Sequence, residues 1–123
     1  MSIQKWKEQF NRQIQATIKV AEKVQVEAAK VLLSNIERRT PIGRPELWKY
    51  PAPADYVPGQ LRASWVMQIE GTGLQIKITI ENGQPYAERV EKGWSTQAPS
   101  GMMVISCKEW SQIVDKIAKK YKI

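Results

Sequence analysis

Residues 2–38, "SIQKWKEQFNRQIQATIKVAEKVQVEAAKVLLSNIER", contain neither proline nor glycine. Apolar and small side chains recur along this stretch at steps of three and four residues, which is the spacing of one helix face. Ser2 can cap the N-terminus, and Pro41 disfavours helical backbone at the residue before it. The pattern predicts one long helix over residues 1–38, about 50 Å in length. Its apolar stripe comprises Ile3, Trp6, Phe10, Ile14, Thr17, Ala21, Val24, Ala28, Val31 and Leu32.

Such a helix is long for a chain of 123 residues. Part of the stripe also repeats every seven residues, as in a coiled-coil seam, from Ile3 through Phe10 to Val31. Two interpretations stand side by side. In one, the helix extends beyond the domain and its apolar face needs another subunit to cover it. In the other, the helix lies across its own sheet.

Residues 39–60 form a Pro-rich loop that holds five of the seven prolines. Trp48, Tyr50 and Tyr56 lie in this loop, and disordered linkers are usually poor in aromatic residues. We therefore expect the loop to be ordered by packing on the chain's own sheet or on a neighbouring subunit.

The next region, residues 61–106, has the alternation of a small antiparallel sheet. Residues 61–70 and 74–81 are predicted strands joined by a hairpin at Gly-Thr-Gly, and residues 102–106 are a predicted third strand. A short helix over residues 85–92 is expected between them, because Pro85 suits its first turn and Gly93 its end. The loop that follows holds Trp94, which we expect to be exposed.

A second amphipathic helix is predicted over residues 107–122. Ser106 and Glu109 have the spacing of a capping box at its start. Trp110, Ile113, Val114, Ile117 and Tyr121 form its apolar stripe. The predicted fold is α+β: a long N-terminal helix and a C-terminal helix packed on a small antiparallel sheet, in a single domain of residues 1–123.

The composition disfavours catalysis. The chain has no histidine and a single cysteine, Cys107, which we expect to be a small core residue. Glu88 and Glu91 share a helix face without a metal-binding partner, and no phosphate-binding glycine motif occurs. We predict that the protein is not an enzyme and has no cofactor or metal. No apolar run approaches the ~20 residues that span a bilayer, and no signal peptide is evident, so a cytosolic origin without a membrane partner is expected.

The net charge of +7 is concentrated at the two ends of the chain. Residues 1–40 carry eight basic and four acidic residues, residues 41–107 carry six of each, and residues 108–123 carry five and two. One interpretation is a solvated helix surface; another is a surface that attracts nucleic acid. A small basic nucleic-acid-binding protein is thus an alternative function, and the lysines that would face DNA are Lys116, Lys119, Lys120 and Lys122.

Three further stretches follow the long helix in a fixed order: "TPIGRPELWKY" at 40–50, "YVPGQLRASW" at 56–65 and "PYAERVEKGWSTQAPSGMM" at 85–103. Together they resemble the neck or tail-completion proteins of tailed bacteriophages, in the group similar to the lambda minor tail protein Z. The resemblance covers residues 30–123. This chain differs from the commonest form of that family by a longer Pro-rich insert between Pro41 and Gly59. The matching positions after that insert are Gly59, Leu61, Arg62, Ser64, Trp65, Pro85, Tyr86, Ala87, Glu91, Gly93, Gln97, Ala98, Pro99, Gly101 and Met102.

The resemblance implies a structural virion protein of the neck, assembled in the host cytoplasm as a homo-oligomeric ring, usually of six copies, around the DNA channel. It would join the head connector or adaptor to the tail-terminator or tail-tube proteins. We expect the Pro-rich loop and the loop around Trp94 to make the protein contacts, because Trp and Met are enriched at interfaces. The predicted interface residues are Trp48, Tyr50, Tyr56, Tyr86, Glu91, Trp94, Gln97, Pro99 and Met102.

Overall fold

A computed structural model describes residues 2–43, 54, 56–93, 95 and 97–121 of the chain. These residues form five α-helices, two strands and one 3-10 turn. The elements are α1 (Ile3–Arg39), α2 (Gln60–Ala63), β1 (Trp65–Glu70), the 3-10 turn (Gly73–Gln75), β2 (Lys77–Asn82), α3 (Ala87–Glu91), α4 (Met103–Cys107) and α5 (Trp110–Lys120). The predicted α+β class, with a long N-terminal helix, a C-terminal helix and a small antiparallel sheet, is confirmed.

Helix α1 follows its sequence prediction closely. The hydroxyl oxygen of Ser2 accepts a hydrogen bond from the backbone N–H of Lys5 at 3.2 Å, as expected of an N-cap. The helix ends where Thr40 takes extended backbone, with a ψ of 120°, before Pro41. Both ends of the helix are determined by neighbouring residues, Ser2 and Pro41, so local sequence patterns were sufficient to predict them.

Only the C-terminal half of α1 reaches the core. Its buried residues are Val24, Ala28, Ala29, Leu32 and Ile36. Residues 2–17 are all exposed, although they carry the same apolar stripe. In the described part of the chain, the N-terminal half therefore extends beyond the packed region, as the first interpretation expected; that another subunit covers it stays a prediction.

Strands β1 and β2 pair in antiparallel register from Trp65 opposite Asn82 to Glu70 opposite Lys77. The predicted second strand began too early, at residue 74, because the connection is longer than a tight hairpin. The backbone N–H of Gly73 donates to the Glu22 carboxylate at 2.9 Å, which binds the 3-10 turn to α1. Gly71 takes a positive φ of 76°, and a Cβ there would lie 2.6 Å from the carbonyl oxygen of Gln75. This bound turn, rather than a strand, contains Leu74.

The predicted first strand was also too long, since residues 60–63 form helix α2. Gly59 precedes the helix with a φ of 84°, a left-handed conformation that suits glycine. The Ser64 hydroxyl donates to the carbonyl oxygen of Gln60 at 2.6 Å and closes the turn. Leu61 is buried and lies four residues before Trp65. Residues at this spacing share one side of a helix and also one face of a strand, so the spacing does not distinguish the two.

The prediction of a third strand over residues 102–106 was wrong, because residues 103–107 form helix α4. Five apolar or small residues in a row do not distinguish a strand from a helix. The predicted capping box was wrong as well. The Ser106 hydroxyl donates to the Met102 carbonyl at 2.5 Å, while the side chain of Glu109 binds Arg39. Helix α5 consequently starts at Trp110 instead of residue 107.

The core lies where the C-terminal half of α1 meets α2 and the segment before α4. Its buried residues are Leu32, Ile36, Leu61, Ala98 and Met102. Partly buried side chains from the sheet and helices surround it, including Trp65, Ile80, Tyr86, Val90 and Trp110. Cys107 is exposed, so its predicted place in the core was wrong.

Candidate interaction surface

The end of α1 is joined to the sheet through the buried Thr40. Its hydroxyl donates to the carbonyl oxygen of Ile36 at 2.7 Å and accepts from the indole N–H of Trp65 at 2.7 Å. The guanidinium Nε of Arg62 donates to the Thr40 carbonyl oxygen at 2.9 Å. The Thr-Pro and Leu-Arg-x-Ser-Trp motifs are therefore two sides of one contact, about 25 residues apart in sequence.

The segment from Glu91 to Val104 is held closed by one carboxylate. Glu91 accepts hydrogen bonds from the backbone N–H groups of Met102, Met103 and Val104, at 2.9, 2.7 and 3.0 Å. Burial alone raises the pKa of Glu91, but the three backbone hydrogen bonds outweigh it and the net pKa is lowered. Glu91 thus satisfies amide groups at the start of α4 that no helical carbonyl can reach.

Two glycines make this close approach possible. Gly93 and Gly101 have φ values of 88° and 79°. A Cβ on Gly93 would lie 2.5 Å from the carbonyl oxygen of Pro99, and one on Gly101 would lie 2.4 Å from that of Glu91. The described part of this loop, residues 95 and 97–100, therefore approaches the end of α3, and Gln97, Pro99 and Ser100 are exposed.

An ion pair joins the end of α1 to the start of α5. Arg39 contacts both carboxylate oxygens of Glu109, at 2.5 and 3.1 Å, and donates to the Ser106 hydroxyl at 2.9 Å. The hydrogen bond from Arg39 lowers the pKa of Glu109, and the same bond raises the pKa of Arg39. Both side chains are about one-third exposed, so the pair aligns the helices more than it stabilises them.

The most prominent apolar surface is on the N-terminal half of α1. We call Ile3, Trp6, Phe10 and Ile14 the N-terminal stripe; their exposures are 74%, 55%, 48% and 38%. The rings of Trp6 and Phe10 stack with centroids 5.3 Å apart. The stripe continues into an open groove lined by Phe10, Ile14, Ile18 and Leu74, where Leu74 is 78% exposed. Large apolar side chains gathered in this way typically mark a contact surface.

Most of the chain that forms these contacts matches a known family. Residues 4–93, which are 90 of the 123 residues, match a family model described as "Bacteriophage HK97-gp10, putative tail-component". The chain belongs to the HK97-gp10-like family. Comparisons with curated proteins and with solved structures find no match. Membership confirms the predicted phage tail family in its general form, whereas the finer assignment to the lambda Z-like group stays a prediction.

In this HK97-gp10-like protein the family match extends from α1 to the end of α3. It includes the N-terminal stripe except Ile3, Thr40 with its partners, and Glu91. The three amide groups that Glu91 binds lie beyond the matched range. Family membership places the protein among the structural components of phage tails, in the virion.

Six of the nine interface residues predicted from sequence lie among the described residues, and their surroundings differ. Gln97 and Pro99 are exposed, and the Gln97 amide donates to the carbonyl oxygen of Ile42 at 3.0 Å. Met102 is 1% exposed and belongs to the core, so its side chain is not available to a partner in this structure. The carboxylate of Glu91 serves the chain's own backbone. Trp48, Tyr50 and Trp94 lie outside the described residues.

Tyr56 and Tyr86 do lie together, with ring centroids 6.2 Å apart. Both are partly buried. The hydroxyl of Tyr86 is buried and has no hydrogen-bond partner among the described residues, and burial raises its pKa. This pair joins the end of the Pro-rich loop to the start of α3.

The C-terminal lysines differ from one another in their surroundings. Lys116 and Lys119 are exposed on α5, whereas Lys120 contacts the Glu27 carboxylate at 3.5 Å. The pKa of Glu27 is lowered mainly by a hydrogen bond from the Tyr121 hydroxyl and, to a smaller extent, by the nearby charge of Lys120. Lys122 lies outside the described residues. Their role in facing DNA stays a prediction.

The N-terminal stripe was recognised from sequence, but the groove beside it was not. Leu74 was assigned to a strand. The contact of the 3-10 turn with Glu22 joins residues far apart in sequence, so no local sequence pattern indicates it. In the described ranges no group of residues suited to a metal ion occurs. Among the described residues, no helix is long and apolar enough to cross a membrane.

Proposed function

We propose that this protein is a structural subunit of the phage neck, where it forms a homo-oligomeric ring, of six copies, around the DNA channel and joins the head connector to the tail. Its partners are other copies of itself, the connector or adaptor on one side and tail-terminator or tail-tube proteins on the other. Assembly occurs in the host cytoplasm and places the ring in the virion. The protein has no enzymatic role.

The N-terminal stripe carries this proposal. It is continuous with the face of α1 that packs in the core, yet the described chain provides nothing to cover it. Full burial of one large apolar side chain contributes about 1.5–3 kcal/mol. Covering four half-exposed side chains by a neighbouring subunit supplies a substantial driving force for association, from which the entropy of ordering is subtracted.

The internal contacts support this arrangement. Thr40, Arg62 and Trp65 hold the base of α1 rigidly on the sheet, so the exposed half of the helix projects in a defined direction. Glu91, with Gly93 and Gly101, holds the start of α4 against the end of α3. A ring subunit needs both, because every copy must present the same two surfaces to its neighbours.

Changing the N-terminal stripe should prevent assembly without unfolding the chain. We expect the double variant Trp6→Ser/Phe10→Ser to lose at least tenfold in self-association, because two large aromatic side chains no longer enter the contact. The melting temperature of the subunit should remain nearly unchanged, since both side chains are exposed. Native mass spectrometry and sedimentation velocity measure the association.

A matched control is Val66→Thr/Ile69→Thr, which reduces two exposed apolar side chains on strand β1, away from the stripe and from both loops. This variant should assemble as the unaltered chain does. Equal assembly of the stripe variant and the control would contradict the role of the stripe. An unaltered chain that stays monomeric at every concentration, and that purified tails do not contain, would contradict the ring.

A further inference from the structure

Helix α1 carries a line of cations as regular as its apolar stripe. We call Lys5, Arg12, Lys19, Lys23 and Lys30 the basic row. They follow one another at steps of seven, seven, four and seven residues, which keeps them on one side of the helix. All five are exposed. Within the described part of the chain, none forms a salt bridge.

The basic row lies opposite the apolar face. Lys5, Arg12 and Lys19 each come two residues after Ile3, Phe10 and Thr17 respectively. Two residues correspond to a turn of about 200° around a helix, so each cation points away from its apolar neighbour. A helix with one apolar side and one basic side can contact two different partners at once.

The acidic residues of α1 leave this side positive. Glu22 binds the Gly73 amide, and Glu27 binds Lys120 and Tyr121, beside Lys30. Glu8 and Glu37 lie on the same side as the basic row, so five cations against two carboxylates leave a net charge of +3. On the neighbouring helix α5, Lys116 and Lys120 add positive charge, and Asp115 is its acidic residue.

We propose that the basic row binds the phosphate backbone of double-stranded nucleic acid, which makes α1 the helix that faces DNA. This inference rests on the proposed ring for the position of α1, because a neighbour covering the N-terminal stripe leaves the opposite side facing away from that contact. Of the C-terminal lysines, Lys120 is paired with Glu27, whereas Lys116 and Lys119 are exposed on α5.

The proposed ring disfavours a membrane surface. Helices that lie in a lipid interface insert an apolar face and carry Lys and Arg on the opposite, polar face. In the ring a neighbouring copy covers the N-terminal stripe, so no apolar face of α1 remains to insert beside the basic row. An acidic protein surface is also disfavoured, because lysine is depleted in protein interfaces and this side of α1 presents no large apolar anchor.

The dimensions suit a duplex. From Lys5 to Lys30 the helix rises about 37 Å, which is close to the 34–36 Å of one turn of DNA. Long side chains in such a row can reach several phosphates without reading bases. Binding of this kind is independent of sequence and falls steeply with salt.

The test compares two triple variants in binding a fluorescent 30-base-pair duplex between 50 and 200 mM NaCl. Lys5→Gln/Arg12→Gln/Lys19→Gln neutralises part of the basic row. Lys77→Gln/Lys92→Gln/Lys108→Gln removes the same charge from other exposed sites. Each phosphate contact contributes about 0.9 to the slope of log affinity against log salt, so we expect the row variant to lose about 2–3 of that slope and at least tenfold in affinity. The control variant should lose less than half as much.

Equal losses in the two variants, or no duplex binding by the unaltered chain, would overturn the inference. So would stronger binding to phosphatidylserine vesicles or to polyglutamate than to the duplex at equal charge concentration. Native mass spectrometry of the row variant separates this inference from the ring. Its oligomeric state should match that of the unaltered chain, and a failure of assembly in the unaltered chain concerns the ring alone.

Discussion

Replacing Glu91 by alanine is expected to lower the free energy of unfolding by about 2–3 kcal/mol. The substitution leaves the backbone N–H groups of Met102, Met103 and Val104 without their carboxylate acceptor. Water can replace part of the loss at Val104, which is exposed, but not at Met102, which lies in the core. Chemical denaturation followed by circular dichroism measures the change.

Glu88→Ala is the matched control, because Glu88 lies on the same helix and its carboxylate pairs with the exposed Lys92 at 2.9 Å. Surface pairs of this kind contribute little, so this variant should stay close to the unaltered protein. If both variants were equally stable, the Glu91 carboxylate would not be what holds the loop against α4.

The same carboxylate should make the protein sensitive to acid. Because the folded-state pKa of Glu91 is lowered, its contribution is fully present above the unfolded pKa, near 4.3, and is lost as pH falls through the folded value. Glu88 and Glu109 also have lowered pKa values, so the informative quantity is a difference between variants. The stability gap between the unaltered protein and Glu91→Gln should narrow between pH 5 and pH 3, and a gap independent of pH would contradict this assignment.

Replacing Thr40 by valine should cost about 1–3 kcal/mol, although valine has nearly the same shape. The hydroxyl of Thr40 is the acceptor for the indole N–H of Trp65 and the donor to the carbonyl of Ile36. Valine leaves the indole N–H without a partner in a largely buried position. The change in unfolding free energy is measured by urea denaturation.

A double-mutant cycle with Trp65→Phe isolates the hydrogen bond from the packing of the two side chains. Once phenylalanine has removed the indole N–H, Thr40→Val should cost clearly less than it does alone. Additive effects would show that Thr40 acts through packing or through Ile36 only. Thr17→Val is the matched control, because its hydroxyl donates only to the carbonyl of Gln13 on an exposed part of α1.

Sequence patterns predicted the α1 helix well, placed α3 and α5 within three residues of their observed ends, and failed at residues 102–106. Helix α1 has many turns of consistent spacing and clear stop signals, so its prediction rests on many residues at once. The stretch 102–106 has only five residues, so its prediction as a strand rested on few positions. Its helical form depends on Glu91, which lies 11 residues before Met102, and on the left-handed backbone of Gly101.

The predicted contact residues show the same division. Gln97 and Pro99 are exposed, as a contact role requires. The loop that holds them was recognised from its proline and glycine residues. Met102 was assigned to an interface from its residue type and Glu91 from the family resemblance, yet in the structure Met102 lies in the core and Glu91 binds the chain's own backbone. Residue type alone does not distinguish a methionine that fills a core from one that meets a partner.

From the sequence alone follow the long helix, its apolar stripe, the short helix at residues 87–91, the C-terminal helix and the α+β class, because each depends on the periodicity and turn residues of neighbouring positions. Only the tertiary structure decides where along α1 the core ends, that residues 103–107 are helical, and that the Thr-Pro and Arg-x-x-Trp motifs meet. The physical reason is that a short segment adopts the backbone whose amide and carbonyl groups find partners, and those partners come from distant residues.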